Sequence, residues 1–226
     1  MRKRTRAAAA ALGILLLVLP LVTSCQSGEG DLLGINFDTE GNEAVLDAYD
    51  TSNPVVAIKI EGYGAVVAEL YPDIAPNTVN NFISLIKSGF YDGNCFHRSV
   101  PGFMIQGGDP NGNGTGGPGY KIKGEFSENG FENNLKHTEG VLSMARSSAY
   151  DSAGSQFFIM LGSSPHLDGD YAAFGKVIDG MDVVKRIAAE ETVADELTGK
   201  LENNVTIEKM LVDTKGKEYP QPEKIS

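Results

Sequence analysis

The sequence predicts an all-β domain with two helices, built as an antiparallel barrel or sandwich. Three observations lead to this fold class. Eight short runs are rich in apolar and β-branched residues, only two stretches show helical periodicity, and turn residues lie between them, with 27 glycines in the chain. The predicted domain covers residues 54–213, about 160 residues, which is the size of a single domain.

The first elements are a hairpin and a helix. Val55–Ile60 and Ala65–Leu70 are β-branched-rich runs on either side of a glycine-containing turn. The helix begins at Pro76, whose missing N–H costs nothing at the first helical position, and it ends at Gly89. Its apolar residues share one face at helical spacing: Val79, Phe82, Ile83 and Ile86.

Six further runs predict the other strands: Cys95–Val100, Phe103–Gln106, Val141–Arg146, Gln156–Leu161, Ala172–Ile178 and Val205–Val212. A second helix over about Gly180–Ala189 buries three apolar residues: Val183, Val184 and Ile187. Alternation along Phe103–Gln106 places Phe103 and Ile105 on one face, and Met104 and Gln106 on the other.

Residues 1–24 have the pattern of a cleaved secretory signal peptide. Four basic residues precede a 16-residue apolar run from Ala7 to Val22, and small residues follow it. An uncleaved membrane anchor is the alternative, but the run is shorter than the roughly 20 residues of a membrane span.

The segment Val22-Thr23-Ser24-Cys25 resembles the lipobox of bacterial lipoproteins. The resemblance implies diacylglycerol on the Cys25 thiol and cleavage before that residue. Because two or more acyl chains anchor a protein stably, we expect an extracytoplasmic protein held on the bacterial cell membrane by lipid. Cys95 is then the remaining thiol, without a disulfide partner, and is expected to pack as a small apolar residue.

The charge balance excludes some partners and suggests a tether. The chain carries a net charge of −11, and loss of the leader leaves 15 basic and 30 acidic residues, or −15. Such a balance argues against nucleic-acid binding. Residues 25–53 hold seven acids and no Lys or Arg, which predicts a flexible acidic tether, with a docked segment around Leu32–Phe37 as the alternative. Residues 214–226 predict an unstructured tail.

The glycine-rich stretch Gly107–Gly117 matches parts of two ligand-binding motifs without their context. Its G-x-G-x-x-G pattern is followed by Pro118 and Gly119 in place of a helix. Its acidic and amide residues match the first half of a calcium loop, but Tyr120 stands where that loop needs Glu. We interpret the stretch as a structural loop.

The three histidines, His97, His137 and His166, lack the spacing of metal ligands, and no cysteine cluster supports them. The sequence therefore predicts no metal and no cofactor, with a site assembled from distant histidines as the alternative. Serine and histidine elsewhere in the chain are not a sign of a catalytic triad without a nucleophile motif.

Several segments place polar residues inside apolar strands: Phe96-His97-Arg98, Pro101–Gly108, Leu142–Arg146, Gly154–Ile159, Leu167–Gly169 and Phe174–Val177. From the hydrophobic pattern alone, Arg98 and Gln106 could equally well be polar residues at the surface or on an edge strand. In order and spacing, however, the segments resemble the cyclophilin family of peptidyl-prolyl cis–trans isomerases from about Val55 to Val212. The resemblance implies a closed eight-stranded antiparallel barrel capped by two helices, with a substrate groove on its outer wall.

The resemblance also implies roles for single residues. Arg98 corresponds to the catalytic arginine, and Gln106 to the glutamine beside it. The proline pocket is matched by Phe103, Met104, Phe158 and Leu167, and the substrate-backbone positions by Ala145, Arg146 and Gln156.

Three substrate-binding positions depart from the common eukaryotic pattern. Arg146 stands where asparagine is common, His166 where tryptophan is common, and Tyr171 where histidine is common. We expect Arg146 to act through its main chain and turnover to survive the change at Tyr171. The missing tryptophan at His166 argues against tight cyclosporin binding.

The function implied is isomerisation of X-Pro bonds in unfolded or exported polypeptides by a monomer, without covalent or metal catalysis. The alternative is a non-catalytic or chaperone module that binds proline segments on the same barrel. The changes at His166 and Tyr171 favour the alternative, whereas the retained Arg98 and pocket residues favour the enzyme.

Overall fold

Eight antiparallel strands close into a barrel in the computed structural model of the protein, which describes residues 33–225. These residues contain nine strands in all: β1 (Val55–Ile60), β2 (Gly64–Leu70), β3 (Cys95–Val100), β4 (Met104–Gly107), β5 (Val141–Met144), β6 (Phe157–Met160), β7 (Ala173–Asp179), β8 (Val193–Asp195) and β9 (Lys200–Asp213). The helices are α1 (Pro76–Lys87) and α2 (Met181–Glu190), with short 3₁₀ turns at Ser127–Asn129 and Pro165–Leu167.

The barrel has the spatial order β1-β2-β7-β5-β6-β4-β3-β9, and pairing of β9 with β1 closes it. The ninth strand, β8, lies outside this ring and pairs with the start of β9. The closed eight-stranded barrel with two helices is therefore confirmed. In this ring β6 lies four strands from β1, so the walls around β1 and β6 face opposite directions.

The barrel interior is packed with aromatic side chains that helix α1 closes. The ring centroid of Phe82 on α1 lies 5.2 Å from that of Phe157 on β6 and 5.0 Å from that of Phe174 on β7. The apolar faces predicted for the two helices are buried, as expected from their spacing. The N-terminus of α1 is held by the buried Glu125, whose carboxylate accepts the N–H groups of Asn77 (3.0 Å) and Thr78 (2.8 Å).

Two details of the barrel differ from the sequence prediction. The hairpin of β8 with the first five residues of β9 was not predicted, because it is mostly exposed and its few apolar residues show no regular alternation. Phe103 does not follow the alternation predicted for its strand. It lies in the turn before β4, where its N–H donates to the carbonyl of Val100, so its ring faces the same side as Met104.

Residues 33–53, the N-terminal segment, pack against the barrel over a longer stretch than the docked segment around Leu32–Phe37 that is the alternative to a flexible tether. Phe37 and Leu46 are buried against outward-facing side chains of β1, β2 and β9. The backbone of Asn42 and Ala44 pairs with Val212 at the end of β9. Val55 and Ala57 make the first part of the outer face of β1 apolar, so covering it removes that surface from water.

The predicted unstructured tail is also ordered where the structure describes it. Ile225 pairs with Lys121 through two backbone hydrogen bonds of 2.8 and 3.1 Å. The N–H of Glu223 donates to the Asn77 side chain on α1 at 2.7 Å, and Tyr219 packs on the core. Residues 221–225 therefore lie along α1 and the loop that contains Lys121.

The predicted signal peptide and the predicted lipid site at Cys25 lie outside the described residues. Within residues 33–225, no helix is long and apolar enough to cross a membrane.

Candidate active site

A groove on the outer wall of the barrel collects nearly all of the predicted site residues. Its cavity of about 630 Å³ is lined by Arg98, Phe103, Met104, Gln106, Ala145, Arg146, Phe158, His166, Leu167 and Tyr171, together with Ser148, Tyr150 and Asp170. Gln156, the remaining predicted residue, lines an adjoining cavity of about 770 Å³. Ser148, Tyr150 and Asp170 were not predicted, because they lie in loops that match no sequence motif.

The centre of the groove is the guanidinium of Arg98, which projects from β3. Pairing places Arg98 between Gln106 on β4 and Lys200 on β9. One terminal nitrogen of Arg98 donates to Oε1 of Gln106 at 3.0 Å, and Nε donates to the backbone carbonyl of Thr198. Burial lowers the pKa of Arg98, but an arginine pKa is high enough that the group stays protonated near neutrality.

Two glutamine side chains form a directed chain of hydrogen bonds behind Arg98. Because arginine can only donate, Oε1 of Gln106 faces it, and Nε2 of Gln106 donates to Oε1 of Gln156 at 3.0 Å. Nε2 of Gln156 in turn donates to the carbonyls of Gly114 (3.1 Å) and Gly116 (2.9 Å). The orientation of both amides is therefore fixed by their partners.

The glycine-rich loop supplies the end of this chain, which explains its composition. The buried carboxylate of Asp109 accepts the backbone N–H groups of Asn111 (2.8 Å) and Asn113 (3.0 Å) and that of Gly114. A Cβ at Gly116 would lie 2.0 Å from Oδ1 of Asp109, so only glycine fits there. The loop thus holds its carbonyls toward Gln156, as a structural element of the site.

The floor of the groove is apolar and large enough for a five-membered ring. Met104, Phe158 and Leu167 are buried in one cluster on the outer wall, and Phe103 packs against it. His166 stacks on Phe103 with ring centroids 5.9 Å apart and planes inclined by 28°. His166 therefore contributes a flat, exposed ring at the edge of the pocket.

Arg146 lies among three aromatic rings, a role that its sequence position did not indicate. Its guanidinium carbon is 4.5 Å from the ring centroid of Tyr171, 5.0 Å from that of Tyr150 and 5.3 Å from that of Phe126. Nε donates to the carbonyl of Asp170 at 3.0 Å. Besides any main-chain role, the side chain of Arg146 thus supports Tyr171 in the groove wall by cation–π contact.

A buried hydrogen-bonded network lies beneath the pocket. Nδ1 of His137 is 3.1 Å from Oδ1 of Asp168, and Nε2 is 3.0 Å from the hydroxyl of Ser143. His137 and Ser143 are at most 1% exposed, so no substrate reaches the hydroxyl. Burial lowers the pKa of His137, which keeps its ring neutral against the Phe158 ring, 6.1 Å away between centroids. The hydrogen-bonded side chains of Ser143, His137 and Asp168 therefore support the pocket floor and do not form a nucleophilic site.

Other reactive side chains do not assemble into a metal site in the described part of the chain. Within residues 33–225 no three His, Cys, Asp or Glu side chains lie together as ligands. Cys95 is half-buried, and burial raises the pKa of its thiol.

Comparison with known proteins agrees with this geometry. The family model described as cyclophilin type peptidyl-prolyl cis-trans isomerase/CLD matches residues 55–212. The peptidyl-prolyl cis-trans isomerase B of Bacillus subtilis is 48% identical over 129 residues, which cover 57% of this chain and 87% of the relative. A peptidyl-prolyl cis-trans isomerase of Synechococcus elongatus is 49% identical over 116 residues, 51% of this chain and 75% of the relative.

A solved structure shares the barrel. The crystal structure of a Cryptosporidium parvum cyclophilin type peptidyl-prolyl cis-trans isomerase, in the presence of the dipeptide Ala-Pro, matches with a TM-score of 0.61 at 34% identity. The match covers 70% of this chain and 98% of that structure. A closed barrel with an arginine over an apolar outer groove is thus found where the family match lies, and the chain belongs to the cyclophilin-type peptidyl-prolyl cis–trans isomerases.

Proposed function

We propose that Arg98 catalyses X-Pro rotation by donating a hydrogen bond to the prolyl nitrogen as the amide twists. One observation carries this role: the Arg98 guanidinium lies on the wall of the groove and two of its nitrogens donate to fixed acceptors there. Arginine has five N–H donors, so three remain for a substrate. One of these points toward the soft sulfur of Met104 at 3.8 Å, a weak contact that a substrate acceptor replaces easily.

The chemistry of the reaction needs no nucleophile and no proton transfer. The barrier of about 18–20 kcal/mol arises from amide resonance, which gives the C–N bond partial double-bond character. In the twisted transition state the prolyl nitrogen regains a lone pair that can accept from Arg98. The planar amide offers no such acceptor, so the bond forms selectively in the transition state and lowers the barrier.

The apolar pocket supplies the second requirement, a fixed proline ring. Phe103, Phe158 and Leu167 offer a ring-sized apolar surface in the groove that Arg98 also lines. If the ring is held there, rotation occurs on the acyl side of the bond while the nitrogen stays within reach of the guanidinium. The Cryptosporidium relative crystallised in the presence of Ala-Pro supports proline-containing peptides as the substrate class.

A peptide titration separates this enzyme from a module that only binds proline segments. Residues 26–226, at substoichiometric amounts, should shorten cis–trans exchange of an Ala-Pro peptide from its uncatalysed tens of seconds to below one second. NMR exchange spectroscopy measures the rate, and amide shifts near Phe103 and Phe158 report binding. An Ala-Ala peptide of the same length is the control. Shifts without accelerated exchange would establish the binding module and contradict the enzyme.

We further propose that the enzyme is a lipid-anchored bacterial lipoprotein that acts on exported polypeptides outside the cytoplasm. The support is the leader of residues 1–24 and the lipobox-like segment that ends at Cys25. Exported chains arrive unfolded with slowly exchanging X-Pro bonds, which makes a prolyl isomerase useful on that side of the membrane.

Substitution of Cys25 tests the anchor. In a bacterial host given a labelled fatty acid, the wild-type chain should take up label and sediment with membranes. Cys25→Ala should lose the label because the thioether cannot form, whereas Cys95→Ala should keep it. An unlabelled wild-type chain that remains in the membrane with residues 1–24 attached would show a transmembrane anchor instead.

A further inference from the structure

The turn between β8 and β9 lies directly against the strand that carries Arg98. The N–H of Ser99 on β3 donates to the carbonyl of Gly199 at 2.8 Å. Gly199 has a positive φ of 75°, and a Cβ there would lie 2.6 Å from a methyl group of Val100 and 2.8 Å from the Ser99 carbonyl. The turn is therefore seated on β3 with no space between them, and it requires glycine at this position.

One peptide group of the turn connects Arg98 to Asp195. The carbonyl of Thr198 accepts from Nε of Arg98, and the N–H of the same peptide group, on Gly199, donates to the carbonyl of Asp195 at 2.7 Å. A trans peptide is planar, with its N–H and C=O pointing in opposite directions. The hydrogen bond to the main-chain carbonyl of Asp195 on one side therefore aims the Thr198 carbonyl at the guanidinium on the other side.

The carboxylate of Asp195 holds the rest of the turn. One oxygen accepts the N–H of Leu197 and the other accepts the hydroxyl of Thr198, each at 2.9 Å. These bonds from Thr198 and Leu197 lower the pKa of Asp195, so the side chain is ionised at neutral pH. Because ionised acceptors make the stronger hydrogen bonds, the carboxylate fixes the backbone at Leu197 and the side chain of Thr198, the residue whose carbonyl faces Arg98.

The second acceptor matters because a guanidinium is planar. Gln106 alone would hold one terminal nitrogen and leave the plane free to turn about that bond. With Nε also bound to Thr198, two donors of the same plane are fixed, and the remaining N–H groups have a defined direction. Transition-state stabilisation depends on that direction, because a donor must already point at the atom where electron density develops.

We propose that Asp195 is a positioning residue for isomerisation: it folds the β8–β9 turn so that the Thr198 carbonyl orients Arg98 toward the substrate. The inference rests on the role proposed for Arg98. Asp195 itself does not line the groove, so it acts through the turn and not by contact with the peptide.

Substitutions in the turn, made in residues 26–226, test the proposal. Asp195→Ala should lower kcat/KM about tenfold, the factor expected when a hydrogen bond to a charged group is misplaced, while affinity for the Ala-Pro peptide stays within about twofold. Asp195→Asn should recover most of the activity, because its amide oxygen still accepts from Leu197. Glu196→Ala, which removes the neighbouring exposed carboxylate, and Leu197→Ala, which removes an exposed side chain, should behave as wild type.

The Nε–H resonance of Arg98 gives a readout that does not depend on activity. In wild type it should be shifted from free arginine and protected from water exchange. In Asp195→Ala it should move toward the free value, and in Glu196→Ala it should not. Unchanged kcat/KM and resonance in Asp195→Ala, or an equal loss in Glu196→Ala, would overturn the positioning role. If Arg98→Ala keeps its activity, the role of Arg98 fails instead, and the resonance still shows whether Asp195 orients the side chain.

Discussion

Replacement of Arg98 by alanine is expected to reduce kcat/KM for an X-Pro peptide by about 10²- to 10³-fold, the usual cost of losing one preorganised transition-state donor. Peptide affinity should change little, because the apolar floor of Phe103, Phe158 and Leu167 is untouched. The loss should therefore fall on kcat, since the donor acts when the amide is twisted. Exchange spectroscopy at saturating and subsaturating peptide separates the two constants.

Two further arginine variants make this result specific. Arg98→Lys keeps the charge but loses the planar group whose separate nitrogens bond Gln106 and Thr198, so it should stay well below wild type. Arg186→Ala removes an exposed arginine on α2 outside the groove and should leave kcat/KM unchanged. Wild-type turnover in Arg98→Ala would contradict the donor role. An equal loss of turnover and affinity would mean that Arg98 mainly binds substrate.

The barrel could be predicted because its signals are local. Strand runs, the helix that begins at Pro76 and the faces of both helices follow from the spacing of neighbouring residues. Closure of the ring came from the family resemblance, since pairing of β1 with β9 joins residues about 150 positions apart. The β8 strand was missed because it has three residues, of which only Val193 packs on the core, and so short a run shows no period.

One feature of the sequence indicates that the N-terminal segment packs on the barrel. The first four residues of β1 are all apolar, and Val55 and Ala57 are as buried as Val56 and Ile58. A strand with one face in a barrel core and one in water should alternate, so a continuous run indicates that both faces are covered. Phe37 and Leu46 provide the cover, but they are too isolated in the sequence to show a period.

The site could be predicted as a set of residues but not as an arrangement. Arg98 and Gln106 were assigned through motifs, and their cross-strand pairing fits adjacent positions in a hairpin. The partners that orient them are backbone carbonyls of Thr198, Gly114 and Gly116. A carbonyl belongs to every residue type, so even inside the glycine-rich stretch the residue types do not show which carbonyls face the site.

A large loss of stability is expected from shortening Leu46, the side chain that anchors the N-terminal segment. This side chain is 5% exposed, and its backbone N–H donates to Asp213 at 2.8 Å while its carbonyl accepts from Lys215 at 2.9 Å. Leu46→Ala should cost about 2–5 kcal/mol through lost burial and a cavity. For a chain of this size, that lowers the Tm by on the order of 10 °C, measurable by calorimetry.

Val45→Ala is the matched control, because its side chain is 77% exposed and should leave the Tm within the range of ordinary surface substitutions. The groove around β4 and β6 lies on the wall opposite β1, so both variants should retain wild-type kcat/KM at temperatures where they are folded. Removal of all residues before Pro54 should lower the stability of the protein further, since it also uncovers Val55, Ala57 and Leu211. An unchanged Tm in Leu46→Ala and in the truncated chain would restore the flexible tether, whereas a lower Tm with intact turnover would show that residues 33–53 belong to the folded enzyme.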